Sequence, residues 1–251
     1  MNENKFDGMG NIYAKFRPDY PQVFIDYLFE NFDITNDSIF ADIGAGTGII
    51  TKQLLEKKVK VNAVEPNNDM RKVAEANLSS FSNFILVNGT AENTTLADNS
   101  IDIITVAQAF HWFDKQKFKA ECQRILKPLG KVVLVWNSRD SASDRVIEND
   151  LINRKYCPDF KGFSENRRGK GSDEDFLDFF SGKYIEKIFD NPLKFTEQSF
   201  IGRNLSASYA LKESNTHYNS YVNELKKLFD KYSKNGTLIM PDLTRCYIGM
   251  V

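Results

Sequence analysis

The 251-residue chain reads as an α/β protein. The expected architecture is a mostly parallel sheet with helices on both faces and an inserted region after the fifth strand. Two observations predict it. Continuous apolar runs alternate with segments of helical periodicity up to about residue 137, and strands apolar on both faces need a parallel sheet covered on both sides. The first of these runs, Ile39–Ile43, ends in Gly44-Ala45-Gly46-Thr47-Gly48 and passes into helix-forming sequence, a βα turn of the kind found where open α/β sheets bind ligands.

The elements follow in order. Ile39–Ile43 is a buried strand. Residues 49–57 form a helix with Ile50, Leu54 and Leu55 on one side. Residues 59–64 are a β-branched second strand, Asn68–Leu78 a helix that stops before Ser79-Ser80, and Phe84–Val87 a third strand. Ile101–Ala107 is a fourth strand. Residues 113–126 are helical and stop at Lys127-Pro128-Leu129-Gly130, and residues 131–136 are a fifth strand. The pattern then changes. Residues 138–183 are polar and charged, and read as an insertion beside the sheet, with a short amphipathic helix at 173–180. Residues 184–189 and 245–251 are further strands. Residues 222–232 are an amphipathic helix with Leu225, Leu228, Phe229 and Tyr232 on one side. The expected division is a cofactor-binding core at 1–137, a cap at 138–183 that sets the substrate, and a completion of the sheet at 184–251.

Composition narrows the function. Hydrophobic residues make up 41% and charged residues 27% of the chain, ordinary values for a globular protein with a sizeable core. The net charge of −1 argues against nucleic acid as partner, because neutralising phosphates needs a basic surface. Cys122, Cys157 and Cys246 are far apart and make no CxxC pair, so neither a metal site nor a redox dithiol is expected, and free thiols fit a reducing compartment. The N-terminus lacks the apolar core of a signal peptide and no run is long enough to cross a membrane, so the expected location is cytoplasmic, with no membrane partner.

The glycine turn carries the chemistry. Glycines let a ligand approach the backbone closely, and the helix that follows offers free N–H groups to an anion. Such turns serve two large cofactor groups. Dinucleotide enzymes use G-x-G-x-x-G. Here the spacing is Gly44-x-Gly46-x-Gly48, position 49 is Ile, and Asp42 stands just before the turn; these features disfavour a nicotinamide-dependent oxidoreductase. A non-catalytic module that keeps the cofactor pocket is a third reading.

The D-x-G-x-G-x-G segment, Asp42 to Gly48, resembles the first motif of class I S-adenosylmethionine-dependent methyltransferases. Further segments match in the right order. Glu65 ends the second strand in Val-Glu-Pro-Asn-Asn-Asp-Met, similar to the superfamily's E-P-x-x-x-M. Gly89-Thr90-Ala91-Glu92 resembles G-x-A-E. Ala97-Asp98-Asn99-Ser100-Ile101-Asp102 resembles P-x-x-S-F-D with alanine for proline. Ala107-Gln108-Ala109-Phe110-His111-Trp112-Phe113 matches the A-x-x-x-H-W-F segment of the type 11 branch that includes relatives of trans-aconitate methyltransferase. Leu126 to Gly130 resembles L-K-P-G-G, Ser206 to Tyr209 resembles S-x-S-Y, and Tyr13 to Pro21 resembles Y-x-x-x-R-P-x-Y-P.

The resemblance implies a Rossmann-like seven-stranded sheet with a reversed last hairpin. It implies S-adenosylmethionine as cofactor and S-adenosylhomocysteine as product. Glu65 would accept the ribose hydroxyls, with Pro66 beside it. Met70, Ala91 and Glu92, with Thr90, would lie at the adenine. Gly44, Ala45, Gly46 and Thr47 would hold the backbone close to the cofactor. Ala107, Gln108 and Ala109 would also line the cofactor. Trp112 either stacks on the adenine or only starts the next helix with an apolar cluster. Arg17 would pair with the methionyl carboxylate and Tyr13 would close over it; the alternative is a basic turn held by Phe16 and Tyr20 in the core. Asp42 either positions the cofactor amine or caps the turn. His111 either takes a proton from the acceptor or only lines the site. Arg167, Arg168 and Lys170 either attract an anionic substrate or form a solvated loop. The reaction implied is in-line transfer of a methyl group to a small-molecule nucleophile, a carboxylic acid being suggested by the trans-aconitate kinship. The insertion would choose the substrate.

Overall fold

The structure is a computed structural model that describes residues 18–163, 173–207 and 209–251. Its elements in chain order are α1 (Gln22–Asn31), β1 (Ile39–Ile43), α2 (Ile49–Glu56), β2 (Lys60–Val64), α3 (Asn68–Leu78), β3 (Phe84–Val87), β4 (Ile101–Ala107), α4 (Lys115–Ile125), β5 (Leu126–Arg139), α5 (Asp144–Tyr156), α6 (Asp173–Phe179), β6 (Tyr184–Asp190), β7 (Leu193–Phe195), α7 (Glu197–Leu205), α8 (Tyr218–Tyr232), β8 (Leu238–Met240) and β9 (Asp242–Gly249). A single 3₁₀ turn, Phe110–Trp112, joins β4 to α4.

The main sheet has seven strands in the order β3-β2-β1-β4-β5-β9-β6. β1 to β5 are mutually parallel, and β9 runs antiparallel to both β5 and β6. The chain walks outward from β1 to β3, then returns to lay β4 on the other side of β1. The two crossovers leave β1 and β4 in opposite directions, so a crevice opens above their carboxyl ends.

The inner strands are apolar because both faces are covered. On β5, Val132, Leu134 and Trp136 face one cluster, while Val133 and Val135 face the other. The first cluster is aromatic: Phe110, Phe118, Phe176 and Phe179 meet Trp136 and Tyr247, with Phe176 stacked on Tyr247 at 4.4 Å. The second seats α1 and α2 through Phe24, Leu28, Ile50 and Leu54.

A third cluster lies outside the sheet. Val146, Cys157, Phe160 and Phe163 pack with Phe195, Phe200, Tyr221, Leu225 and Leu238. The cap is therefore assembled from two separated segments, α5 with its following loop and the run from β7 to β8. The expected boundary at residue 183 does not follow this packing. Helix α6, expected in the cap, instead puts Phe176 and Phe179 into the sheet's aromatic cluster. The expected hairpin at the end of the sheet is also widely spread: β6 and β9 pair antiparallel, with β7, α7, α8 and β8 between them in sequence.

Other boundaries moved for local reasons. α4 starts at Lys115 because Asp114 caps it, its side chain accepting from Lys117 N, and β5 extends from Leu126 to Arg139 because β9 pairs with it as far as Asp242. Among the described residues no helix is long and apolar enough to cross a membrane, and no group of three or more His, Cys, Asp or Glu side chains could hold a metal ion.

Gly48 sits at the start of α2 with φ of 83°, and a Cβ there would lie 2.5 Å from Leu78 Cδ1. The missing side chain is what brings α2 against α3. Gly48→Ala should destabilise the fold by about 1–3 kcal/mol through left-handed strain and the clash with Leu78. Urea unfolding of the two proteins checks this; equal midpoints would show that the junction tolerates a side chain.

Candidate functional site

The site begins where β1 ends. Gly44 N and Ala45 N both donate to Val64 O, at 2.9 and 3.1 Å, so the glycine turn lies across the end of β2. A Cβ on Gly44 would stand 2.7 Å from Ala109 Cβ, which shows how tightly the β1 turn and the β4 turn close on each other. Glu65, the first residue after β2, locks this arrangement. Its Oε2 accepts from Gly46 N at 2.9 Å and its Oε1 accepts from Asn67 N at 2.9 Å. The carboxylate is 7% exposed and held at the junction of the two turns. Asn67 in turn caps α3 by accepting from Met70 N at 3.0 Å. The Arg71 guanidinium donates to the carbonyls of Glu65 and Pro66, fixing the chain between strand and helix.

Asp42 is fully buried beneath the turn. Its carboxylate accepts from Thr51 Oγ1 at 2.5 Å and from Thr105 Oγ1 at 3.2 Å. It therefore ties β1 to α2 and β4 from beneath the turn. Burial raises its pKa to about 7, against the lowering effect of the two threonine hydroxyls, and the nearby Glu65 carboxylate raises it further.

The crevice above the turn is lined by Gly44, Ala45, Gly46 and Thr47, by Ile49 and Ile50 of α2, and by Ala107 and Gln108 after β4. Pro18, Tyr20, Asn137 and Arg203 complete it. Thr47 is 4% exposed and its hydroxyl has no hydrogen-bond partner among the described residues. A buried hydroxyl without a partner costs roughly 1–3 kcal/mol, so a polar ligand group at this position would stabilise it. Gln108 adopts φ of 61°, unusual for a residue with a side chain, and its amide Nε2 donates to Asn137 O at 3.0 Å. This backbone twist carries the chain from β4 into the turn holding His111 and Trp112.

Six of the expected residues thus meet in one crevice: Gly44, Ala45, Gly46, Thr47, Ala107 and Gln108. Glu65 joins them through Gly46. Others do not line it. Ala91 is buried in the aromatic cluster under the sheet. Glu92 accepts from Asp114 N at 2.9 Å and so anchors the start of α4. Thr90 makes a bridge with Asn93. Met70 is buried on α3. His111 and Trp112 lie in the 3₁₀ turn beyond β4 with ring centroids 4.7 Å apart, and Trp112 is the more exposed. Tyr13, Arg17, Arg167, Arg168, Lys170 and Ser208 lie outside the described residues.

Sequence reasoning missed Asn137 and Arg203. Arg203 on α7 comes from the cap, more than sixty residues beyond β5, and donates through Nη2 to Asp242 Oδ2 at 3.0 Å. No local pattern marks it. Tyr20, which the alternative reading of this segment puts in the core, is buried and exchanges two hydrogen bonds with Gln53, at 3.0 and 2.7 Å, which dock the segment before α1 onto α2.

Comparison with known proteins fits this geometry. Residues 41–134 match the family model described as a methyltransferase domain. An uncharacterised methyltransferase of Mycobacterium bovis is 41% identical over 147 residues, 58% of this chain and 58% of that protein. An uncharacterised methyltransferase-like protein of Schizosaccharomyces pombe is 34% identical over 152 residues, 60% of this chain and 58% of that protein. The alignment thus spans less than two thirds of the length of these relatives. The solved structure of a candidate type II methyltransferase from Anaeromyxobacter dehalogenans superposes with a TM-score of 0.67 at 20% identity, covering 94% of this chain and 98% of that one, and so shares the fold.

Asp42 makes stability depend on pH. Its folded pKa of about 7 lies above its unfolded value, so folding favours the protonated acid. Stability from this group is complete below about pH 4, falls as pH rises, and levels off above about pH 7. The loss is on the order of 4 kcal/mol. Asp42→Asn removes this dependence. Denaturant unfolding between pH 4 and 8 should show the wild type losing stability relative to the variant; parallel curves would mean that Asp42 is ionised throughout.

Proposed function

We propose that the chain, which carries a methyltransferase domain over residues 41–134, transfers a methyl group from S-adenosylmethionine to a small-molecule nucleophile by in-line displacement. The observation that carries this reading is the Glu65 carboxylate, held by the backbone N–H groups of Gly46 and Asn67 at the junction of the β1 and β2 turns. An oriented carboxylate at this point is suited to accept the two hydroxyls of a ribose.

The other residues fit the same cofactor. The Thr47 hydroxyl and the N-terminus of α2 face the crevice with polar groups suited to the amino-acid end. Gly44 keeps the backbone close to Ala109, leaving a narrow slot between the β1 and β4 turns. Met70, Ala91, Glu92 and Trp112 remain the residues assigned to the adenine side, and Tyr13 and Arg17 to the methionyl side. The cofactor supplies a methyl group on a positively charged sulfur. The chain's own part is alignment and exclusion of water: Gln108, Asn137 and Ile50 narrow the crevice where an acceptor would enter.

In this reading His111, in the turn past β4, would serve as base for a hydroxyl acceptor; an ionised carboxylic acid would need no base. A carboxylic acid is the acceptor class this reading favours. No nucleic acid partner is proposed, since the net charge of −1 offers no basic surface overall.

Isothermal titration with S-adenosylhomocysteine tests the reading directly. Glu65→Ala should weaken this binding by about 1–3 kcal/mol, the cost of losing charge-assisted hydrogen bonds to the ribose. Unchanged affinity would remove Glu65 from the site, and stabilisation by NAD with none by S-adenosylhomocysteine would return the protein to the oxidoreductases.

A further inference from the structure

The end of β5 carries a guanidinium, that of Arg139, to which the proposed reaction gives no part. Arg139 is the last residue of β5 and lies opposite Asp242, the first residue of β9, in the antiparallel ladder. Side chains of such facing residues lie on the same side of the sheet within reach of each other. Yet Asp242 does not pair with Arg139. It accepts instead from Arg203, which crosses from α7, and the side chains of this ion pair are 12% and 2% exposed. The carboxylate is deeply buried. Burial pushes its pKa up, and the two guanidinium groups, Arg203 and then Arg139, pull it back.

Arg139 itself lies over the Phe163 ring, its guanidinium carbon 3.8 Å from the ring centroid. Among the described residues it donates no hydrogen bond and forms no ion pair. A guanidinium has five N–H donors in a planar fork that matches a carboxylate. Here the guanidinium lies over an aromatic face, half-buried, and the carboxylate facing it across the ladder is already engaged by a second arginine. Among the described residues no carboxylate is paired with the Arg139 guanidinium, while Asp242 is paired with Arg203. Arg203 and Asn137, two residues before Arg139 on the same face of β5, both line the crevice. Asn137 is itself held in place, accepting from Thr244 Oγ1 at 2.5 Å and from Asn191 Nδ2 at 3.3 Å. The charge therefore stands at the boundary between sheet and cap, beside the crevice and on a rigid strand.

We propose that Arg139, stacked on Phe163 and seconded by the Arg203–Asp242 pair, is an anion-receiving group that takes a carboxylate entering the crevice, and so helps to determine which ligands bind. Two sources of that carboxylate are compatible with the placement: a free carboxylic acid acting as acceptor, or the methionyl end of the cofactor. The second source rests on the function proposed above; the first can be tested without it. Asp242 holds Arg203 in place and prevents it from collapsing onto the same anion. Phe163 holds the Arg139 plane and excludes water from one of its faces, which strengthens whatever pair its edge makes.

The test uses the full chain and two pairs of measurements. Binding of S-adenosylhomocysteine is compared with binding of methylthioadenosine, the same nucleoside without the amino-acid carboxylate. Thermal stabilisation by glutarate is compared with that by glutaramide, its uncharged counterpart, with and without the nucleoside. Each is repeated with Arg139→Met, which keeps the length of the side chain and removes the charge, and with Arg139→Lys, which keeps the charge. Far-UV circular dichroism and the urea midpoint report whether each variant folds, and Arg139→Gln replaces the Met variant if that one does not. A carboxylate held by Arg139 should lose about 10- to 100-fold in affinity in the Met variant, with the uncharged partner unaffected and with partial recovery in the Lys variant. A falling ratio of S-adenosylhomocysteine to methylthioadenosine affinity would identify the methionyl carboxylate. Loss of glutarate stabilisation with unchanged S-adenosylhomocysteine binding would identify the acceptor. If neither nucleoside binds the wild type, the methyltransferase reading fails while the glutarate arm still decides the anion site. The inference is overturned if the Met variant folds and leaves both the nucleoside ratio and the glutarate response unmoved, or if glutarate and glutaramide act alike and the ratio does not change.

Discussion

The contact on which the site depends is the pair of hydrogen bonds from the backbone of Gly46 and Asn67 to the Glu65 carboxylate. It joins two turns that belong to different βα units. Without it, the glycine turn would rest only on its two bonds to the end of β2. With it, the acid, the open backbone and the N-terminus of α2 keep one geometry before any ligand arrives. That is preorganisation: the cost of ordering these groups is met during folding rather than at binding. The same carboxylate raises the pKa of Asp42 below it, so the two acids of the site are coupled through the turn that separates them.

Around this point the molecule divides its work. The parallel strands form a floor whose two faces are sealed by separate apolar clusters, aromatic on one side and largely aliphatic on the other. A sealed floor does not flex, and rigid strands hold side chains at their ends more accurately than loops do. The cap is a different kind of structure. Its own cluster, built from α5, α7 and α8, also contains buried polar groups: Asn149 bonds Asn204 at 3.0 Å, and the Tyr221 hydroxyl bonds Asn153 at 2.6 Å. From this unit Arg203 reaches back to Asp242 on the sheet. The crevice is thus closed by a side chain from each part.

The parallel half of the fold was legible in the chain because its signals are local. A strand buried on both faces is a continuous apolar run, as in Ile39–Ile43 and Ile101–Ala107, and the edge strand Phe84–Val87 is equally apolar although Ile85 is exposed. The helices α1, α5 and α7 were not anticipated. α5 shows why: it buries Asn149 and Asn153 while exposing Ile147 and Leu151, so its pattern is nearly the reverse of an amphipathic helix. Nothing in a linear sequence says that Thr51 and Thr105 converge on Asp42. Ala91 and Glu92 were placed by motif, and the structure shows one packed in the core and the other anchoring a helix.

Taken alone, the order of residues determined the sheet's parallel character, the glycine turn and the acid that follows the second strand, because each is a property of a few neighbouring residues. Only the tertiary structure decided that β9 returns between β5 and β6, that α6 serves the sheet and not the cap, and that Arg203 takes the carboxylate that faces Arg139. These are pairings between segments far apart in the chain, settled by which apolar faces can be buried together and which charges then come within reach, and no local spacing encodes them.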